Sequence, residues 1–201
     1  MKFGIGFFGG AETSADTNLA AAQSKKIPKY AFEYGGELII PIDEVFVRPL
    51  YSVQNIPGYT GTGTDPTGNY NQSMTGQVRF FGAKLSAALY ANSAATRFVY
   101  AGFGAGKASL RAQLSRQYTS GSSKSYLQDG TGSAVYWDVH AGVNQMLVQN
   151  WAMGIEFGFR RFSIEEITSS TKTDLAGNTI TGASTIYSTN LARAVYNVAD
   201  P

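Results

Sequence analysis

The feature that most constrains this chain is an alternation of period two that returns from one end to the other. In 135–144, Val135, Trp137, Val139, Ala141 and Val143 share one face, and Tyr136, Asp138, His140, Gly142 and Asn144 share the other. In 151–160, Trp151, Met153, Ile155, Phe157 and Phe159 stand against Ala152, Gly154, Glu156, Gly158 and Arg160. Side chains of an extended strand point alternately to opposite faces, so each such segment predicts a strand with one apolar and one polar face.

Six further segments follow the same rule. Tyr30, Phe32, Tyr34, Leu38 and Ile40 oppose Glu33, Gly35 and Glu37. Val45, Val47, Tyr51 and Val53 oppose Arg48, Ser52 and Gln54. Phe81, Ala83, Leu85, Ala87 and Leu89 oppose Gly82, Lys84 and Ser86. In 98–114, Phe98, Tyr100, Ala108, Leu110, Ala112 and Leu114 form the apolar set, and Lys107, Ser109, Arg111 and Gln113 the polar one. Near the start, Phe3, Ile5 and Phe7 alternate with Gly4 and Gly6; in 185–198, Ile186, Ala192, Ala194 and Tyr196 oppose Arg193. The best helical candidate, 17–24, is short and stands alone.

The predicted connections alternate in length. Segments 11–29, 57–73, 119–133 and 171–183 are long, and 43–44, 90–95 and 148–150 are short. Long loops on one side with short turns on the other are the pattern of transmembrane β-barrels. The long segments are rich in Gly, Ser, Thr and Asn, which stay solvated. Tyr30, Tyr90, Trp137, Trp151 and Tyr196 lie toward strand ends, where interfacial aromatic girdles belong. The expected fold is therefore all-β: an eight-stranded antiparallel up-and-down transmembrane β-barrel over 1–198. Both termini are expected on the short-turn side and four long loops outside, with 199–201 a tail or the start of a linker. The strands at 98–117 and 151–160 are expected to extend beyond the lipid.

Composition narrows the rest. Charged residues are 15% and hydrophobic residues 43%, against roughly 25% charged in an average soluble domain. The formal charge of +2 comes with no basic stripe interleaved with aromatics, which argues against a nucleic-acid partner. The absence of Cys removes disulfides, thiol catalysis and thiolate metal sites. One His and no carboxylates at calcium-loop spacing leave no expected metal, and no cofactor is expected. No apolar run reaches the ~18 residues of a membrane helix. Met1-Lys2 leads directly into Phe3, Ile5 and Phe7, without a leader's apolar core. For an outer-membrane address the expectation is that a leader has been removed.

Three glycine-aromatic stretches carry a family resemblance: Gly4, Gly6 and Gly9 near the start, Ala101-Gly102-Phe103-Gly104-Ala105-Gly106, and Gly154-Ile155-Glu156-Phe157-Gly158-Phe159-Arg160. With eight strands, the chain resembles the small outer-membrane barrels of the OmpA/OmpX/opacity type. The resemblance implies a bacterial outer-membrane location and a role in envelope integrity or adhesion. It also implies outer-membrane lipid and lipopolysaccharide as surroundings, and surface partners at the long loops. Such barrels usually end on an aromatic residue, whereas here Tyr196 is followed by Asn197-Val198-Ala199-Asp200-Pro201.

The polar face gathers Glu33, Glu37, Arg48, Lys84, Lys107, Arg111, Asp138, His140, Glu156, Arg160 and Arg193. An eight-stranded barrel is just wide enough for side chains to fill, so these charges are expected to pair and plug it. A narrow gated pore is the alternative, with an Arg or Lys exchanging partners. His140 is the natural catalytic suspect, with Asp138 on its face and Glu156 on the next strand. Lipid A deacylases of this barrel class place a Ser two residues from the His, facing lipid; here that position is Gly142 and His140 faces inward. No enzyme is expected. The Gly4-x-Gly6-x-x-Gly9 string lacks the preceding strand and following helix of a dinucleotide site. A soluble lipocalin-like ligand-binding barrel is a further alternative, but it would crowd Trp137, Trp151, Phe157 and Phe159 into one cavity. A β-sandwich would need shorter strands.

Overall fold

The computed structural model describes residues 4–13, 30–65, 68–92, 94, 96–119, 125–148, 151–164, 167–174, 176, 178–181, 185–187 and 197–199. Nearly all of these are strand. β1 (Gly4–Thr13), β2 (Tyr30–Ile42), β3 (Val45–Asp65), β4 (Gly68–Ala91), β5 (Arg97–Tyr118), β6 (Tyr126–Val148) and β7 (Trp151–Ser163) are followed by four shorter strands. These are β8 (Ile167–Asp174), β9 (Thr179–Thr181), β10 (Thr185–Tyr187) and β11 (Asn197–Ala199). Every pairing is antiparallel, and each strand from β1 to β7 pairs with the next, with β11 after β7. β8 adds to the upper part of β6 and carries β9 and β10. β1 and β11, the two ends of this path, do not pair among the described residues, so the sheet is open there.

The sheet is nonetheless rolled. Arg48 on β3 hydrogen-bonds Glu156 on β7, with β4, β5 and β6 between them in the sheet. Glu33 on β2 reaches Arg160 on β7. The face carrying these contacts is the inner one.

Two turns show how the chain reverses. β2 and β3 are joined through Asp43-Glu44, with Ile42 paired to Val45. Asp43 takes φ 54°, a left-handed conformation that Asp tolerates. At the other end of β3, Asp65 pairs with Gly68, whose φ of 135° suits only glycine.

In three of the segments expected as long loops the described residues are largely strand. Pairing of β3 with β4 continues through 57–73 to Asp65 and Gly68, with one register shift between Ile56 and Tyr59. Pairing of β5 with β6 shortens the connection expected at 119–133, because β6 begins at Tyr126. Residues 171–174 and 179–181 lie in β8 and β9. Gly, Ser, Thr and Asn read as loop formers, but backbone pairing ignores side-chain identity where a partner strand is in register. The extended strands are β3 to β6; β7 stops at Ser163. Most of 11–29, and of the strand expected at 185–198, lies outside the described residues.

The outer face bears a belt of exposed apolar side chains, among them Phe81 (72%), Val135 (78%) and Phe157 (75%). It runs from Phe81 to Leu89 on β4, Val99 to Ala105 on β5, Val135 to Val143 on β6 and Trp151 to Phe159 on β7. At this level the inner face holds Arg48, Lys84, Asp138 and His140, all buried.

Above the belt the polarity of both faces exchanges. On β5, Lys107, Arg111 and Gln113 are exposed outward while Ala108, Leu110, Ala112 and Leu114 are buried inward. The β5–β6 register runs from Arg97↔Gln145 to Arg116↔Tyr126 without a shift, so no bulge causes the exchange. β4 and β6 exchange at the same level, with Val78 and Phe80 buried inward beside outer Arg79, and Ser133 and Thr131 exposed above Val135. The inward apolar residues form a cluster of Leu50, Val78, Phe80, Leu110, Tyr136 and Phe162 with their neighbours.

Candidate functional site

The interior is built from large side chains set against glycines. Ser86, Gly102 and His140 are successive partners across β4, β5 and β6; so are Lys84, Gly104 and Asp138, and Gly82, Gly106 and Tyr136. A β-carbon on Gly106 would lie 2.3 Å from the Phe81 carbonyl oxygen and 2.7 Å from the Tyr136 ring. The glycine row of β5 thus clears the floor on which β6 lays three inward side chains. Alternating small and large residues is how a narrow rolled sheet fills its inside.

Two charged groups occupy that inside. In the lower one, Arg48 donates two hydrogen bonds at 2.9 Å to Glu37 and one at 2.7 Å to Glu156. Lys84 also binds Glu156, and the Tyr100 hydroxyl donates to the same carboxylate at 3.0 Å. The second group is higher. Arg160 donates to Glu33 at 2.8 Å, and its guanidinium lies 4.3 Å from the Phe80 ring centroid and 5.3 Å from that of Tyr136. A buried charge is tolerated when paired and hydrogen-bonded, and a guanidinium also gains from the ring faces.

A third array links to the lower group. Ser86 Oγ is 2.8 Å from His140 Nε2, and His140 Nδ1 is 3.0 Å from Asp138 Oδ1. With Asp138 ionised, Nδ1–H donates to it, which leaves Nε2 to accept from the Ser86 hydroxyl. Arg48 Nη1 in turn donates to Ser86 Oγ at 3.3 Å. The alignment is that of a Ser-His-Asp relay, yet Ser86 is 1% exposed and its oxygen already accepts from a guanidinium.

The structure brings together Glu37, Arg48, Lys84 and Glu156, pairs Glu33 with Arg160, and sets Asp138 beside His140. It places Lys107 and Arg111 elsewhere: both are exposed on the outer face, not inside. The parity of strand pairing, not the polarity of the residue, decides the direction of a side chain, and β5 holds its parity while its polarity pattern reverses. Tyr100, taken with the outer apolar set, is buried inside by the same parity. Arg193 lies outside the described residues. Sequence reasoning missed Ser86 as the partner of His140 and missed the aromatic lining by Phe80, Tyr136 and Phe162. For Ser86 the signal was present, since it shares the polar face of Lys84. Among the described residues no group of His, Cys, Asp and Glu is arranged to hold a metal ion.

Set against protein-family models, curated proteins and solved structures, the chain finds no match.

Proposed function

We propose that the chain is a closed eight-stranded β-barrel of a bacterial outer membrane, filled inside, with a structural or surface-contact role. The observation that carries this reading is the exchange of polarity along β4, β5 and β6 at one level, within unbroken β5–β6 pairing. Below that level apolar side chains face outward over buried charges. Above it, polar side chains face outward over a buried apolar cluster, as in any sheet with one wet face. One strand with both arrangements is suited to two solvents, lipid below and water above. The outward apolar runs span about nine residues, close to the ~9–11 of a tilted membrane strand. A soluble ligand-binding barrel would put its apolar face inward at every level.

The filled interior supports a structural role over conduction. The ion pairs of Arg48 and Lys84 occupy the lower half, and Phe80, Leu110, Tyr136 and Phe162 the upper, with the Arg160–Glu33 pair against the Phe80 and Tyr136 rings. The extended hairpins above the belt are the part that would meet other surfaces.

Refolding into detergent, followed by gel mobility of boiled and unboiled samples and far-UV circular dichroism, tests this reading. A strand-rich spectrum with a heat-dependent mobility shift is expected. A chain that reaches the same strand content in plain buffer overturns it.

A hydrolase reading has one observation behind it, the Ser86–His140–Asp138 alignment. A fluorophosphonate label distinguishes the two. Covalent labelling of Ser86 in the folded protein would establish an accessible nucleophile; no labelling is expected.

A further inference from the structure

We propose that Arg79, Lys107, Arg111 and Arg161 form an outer-face site for the phosphate groups of lipopolysaccharide; the proposal rests on the membrane reading above. Three of these cations stand directly at the top of the apolar belt. Arg79 follows Phe81 on the outer face of β4, Lys107 follows Ala105 on β5, and Arg161 follows Phe159 on β7. The register sets Phe81 opposite Lys107, Arg79 opposite Ser109 and Gln77 opposite Arg111. Arg79 is therefore diagonal to both Lys107 and Arg111, a separation of about 7–8 Å. That spacing lets long side chains converge on one or two phosphate groups.

The contrast with the inner face supports a ligand. Inside, Arg48, Lys84 and Arg160 all have carboxylate partners. Outside, Lys107, Arg111 and Arg161 are exposed and make no ion pair among the described residues, and Arg79 donates only to Gln77. Among the described residues the carboxylate near them on this face is Asp129, which accepts from Gln113 among its contacts. The cluster thus keeps a clear excess of positive charge at the boundary between an apolar and a polar surface. Arg pairs with phosphate through two parallel hydrogen bonds, which gives geometry as well as charge. Acyl chains below such a phosphate would lie on Phe81, Val135 and Phe157. The site is on the side of the extended hairpins, which the barrel reading turns outward, toward the leaflet that holds lipopolysaccharide.

The test uses the whole chain refolded in a non-ionic maltoside detergent, with fold established first by the mobility shift and circular dichroism. Failure at that stage would reject the membrane reading, separately from this proposal. Binding is then measured with purified bisphosphorylated lipid A and with its dephosphorylated form. The wild type is expected to bind the first at least about tenfold more tightly, equivalent to about 1.4 kcal/mol. The triple variant R79Q/K107Q/R111Q should lose that preference while keeping its mobility shift. Arg97→Gln, which removes an outer cation at the opposite rim, should keep it. Free inorganic phosphate at the same concentration should not compete; competition would place a soluble anion in the site instead. Equal binding of the two lipids by the wild type, or an unchanged preference in the triple variant, overturns the proposal.

Discussion

Ser86 Oγ and His140 Nε2 meet at 2.8 Å across Gly102, which pairs with both residues and has no side chain to separate them. A β-carbon on Gly102 would lie 2.1 Å from the Leu85 carbonyl oxygen and 2.8 Å from His140 Nε2. Backbone on one side and a hydrogen-bonded ring on the other leave no room to give. Gly102→Ala is therefore expected to destabilise the protein by ~1–3 kcal/mol through overpacking. Gly10 is the control, because nothing lies within 4 Å of its β-carbon position. Gly10→Ala should be neutral or slightly stabilising, by less than about 1 kcal/mol. Urea midpoints of the two variants, followed by the unboiled gel band, check the contrast. Equal effects would mean that the glycine row is not a packing device.

Glu156 is the carboxylate on which Arg48, Lys84 and the Tyr100 hydroxyl converge. Arg48 keeps Glu37 if Glu156 is neutralised, whereas Lys84 loses its only ion pair among the described residues. Glu156→Gln is expected to cost ~3 kcal/mol, the scale of an uncompensated buried charge. The apolar cluster above would still fill the interior, so the variant should show no steady conductance steps in a planar bilayer. Destabilisation accompanied by discrete steps would shift the reading to a gated pore.

The sequence displayed much of this fold and less of its interior. On β4 and β6, alternation alone placed Phe81, Lys84, Val139 and His140 on their observed faces, because each belt segment crosses a single environment. On β5 the same logic placed Lys107 and Arg111 inside. It took the apolar set as outward along the whole strand, whereas the polarity of the outward residues reverses at Lys107 while the pairing continues. The meeting of Ser86 with His140 depends on two registers at once, β4 against β5 and β5 against β6. Registers are set by the match of whole strands, so no local motif announces them. The length of the β3–β4 hairpin was hidden for a related reason. Its upper part is polar on both faces, and a strand without an apolar face resembles a loop.

Val139 and Thr131 are exposed on the same outer face of β6, the first midway along the Val135 to Val143 run and the second above it. Directly opposite on β5, Val139 faces Phe103, and Thr131 faces the cation Arg111. In water the two exposed sites would respond alike to a new charge of suitable sign. In a bilayer they would not, since a cation at the midplane of a barrel's lipid face costs ~2–4 kcal/mol. Val139→Arg is therefore expected to lose about that much stability in phosphatidylcholine vesicles. A charge of the opposite sign suits the upper site, so the partner variant is Thr131→Glu, which should stay within about 0.5 kcal/mol. Equilibrium unfolding by urea in vesicles gives both values. A Val139→Arg protein as stable as the wild type would remove lipid from the outer face and with it the two-solvent account of the polarity exchange.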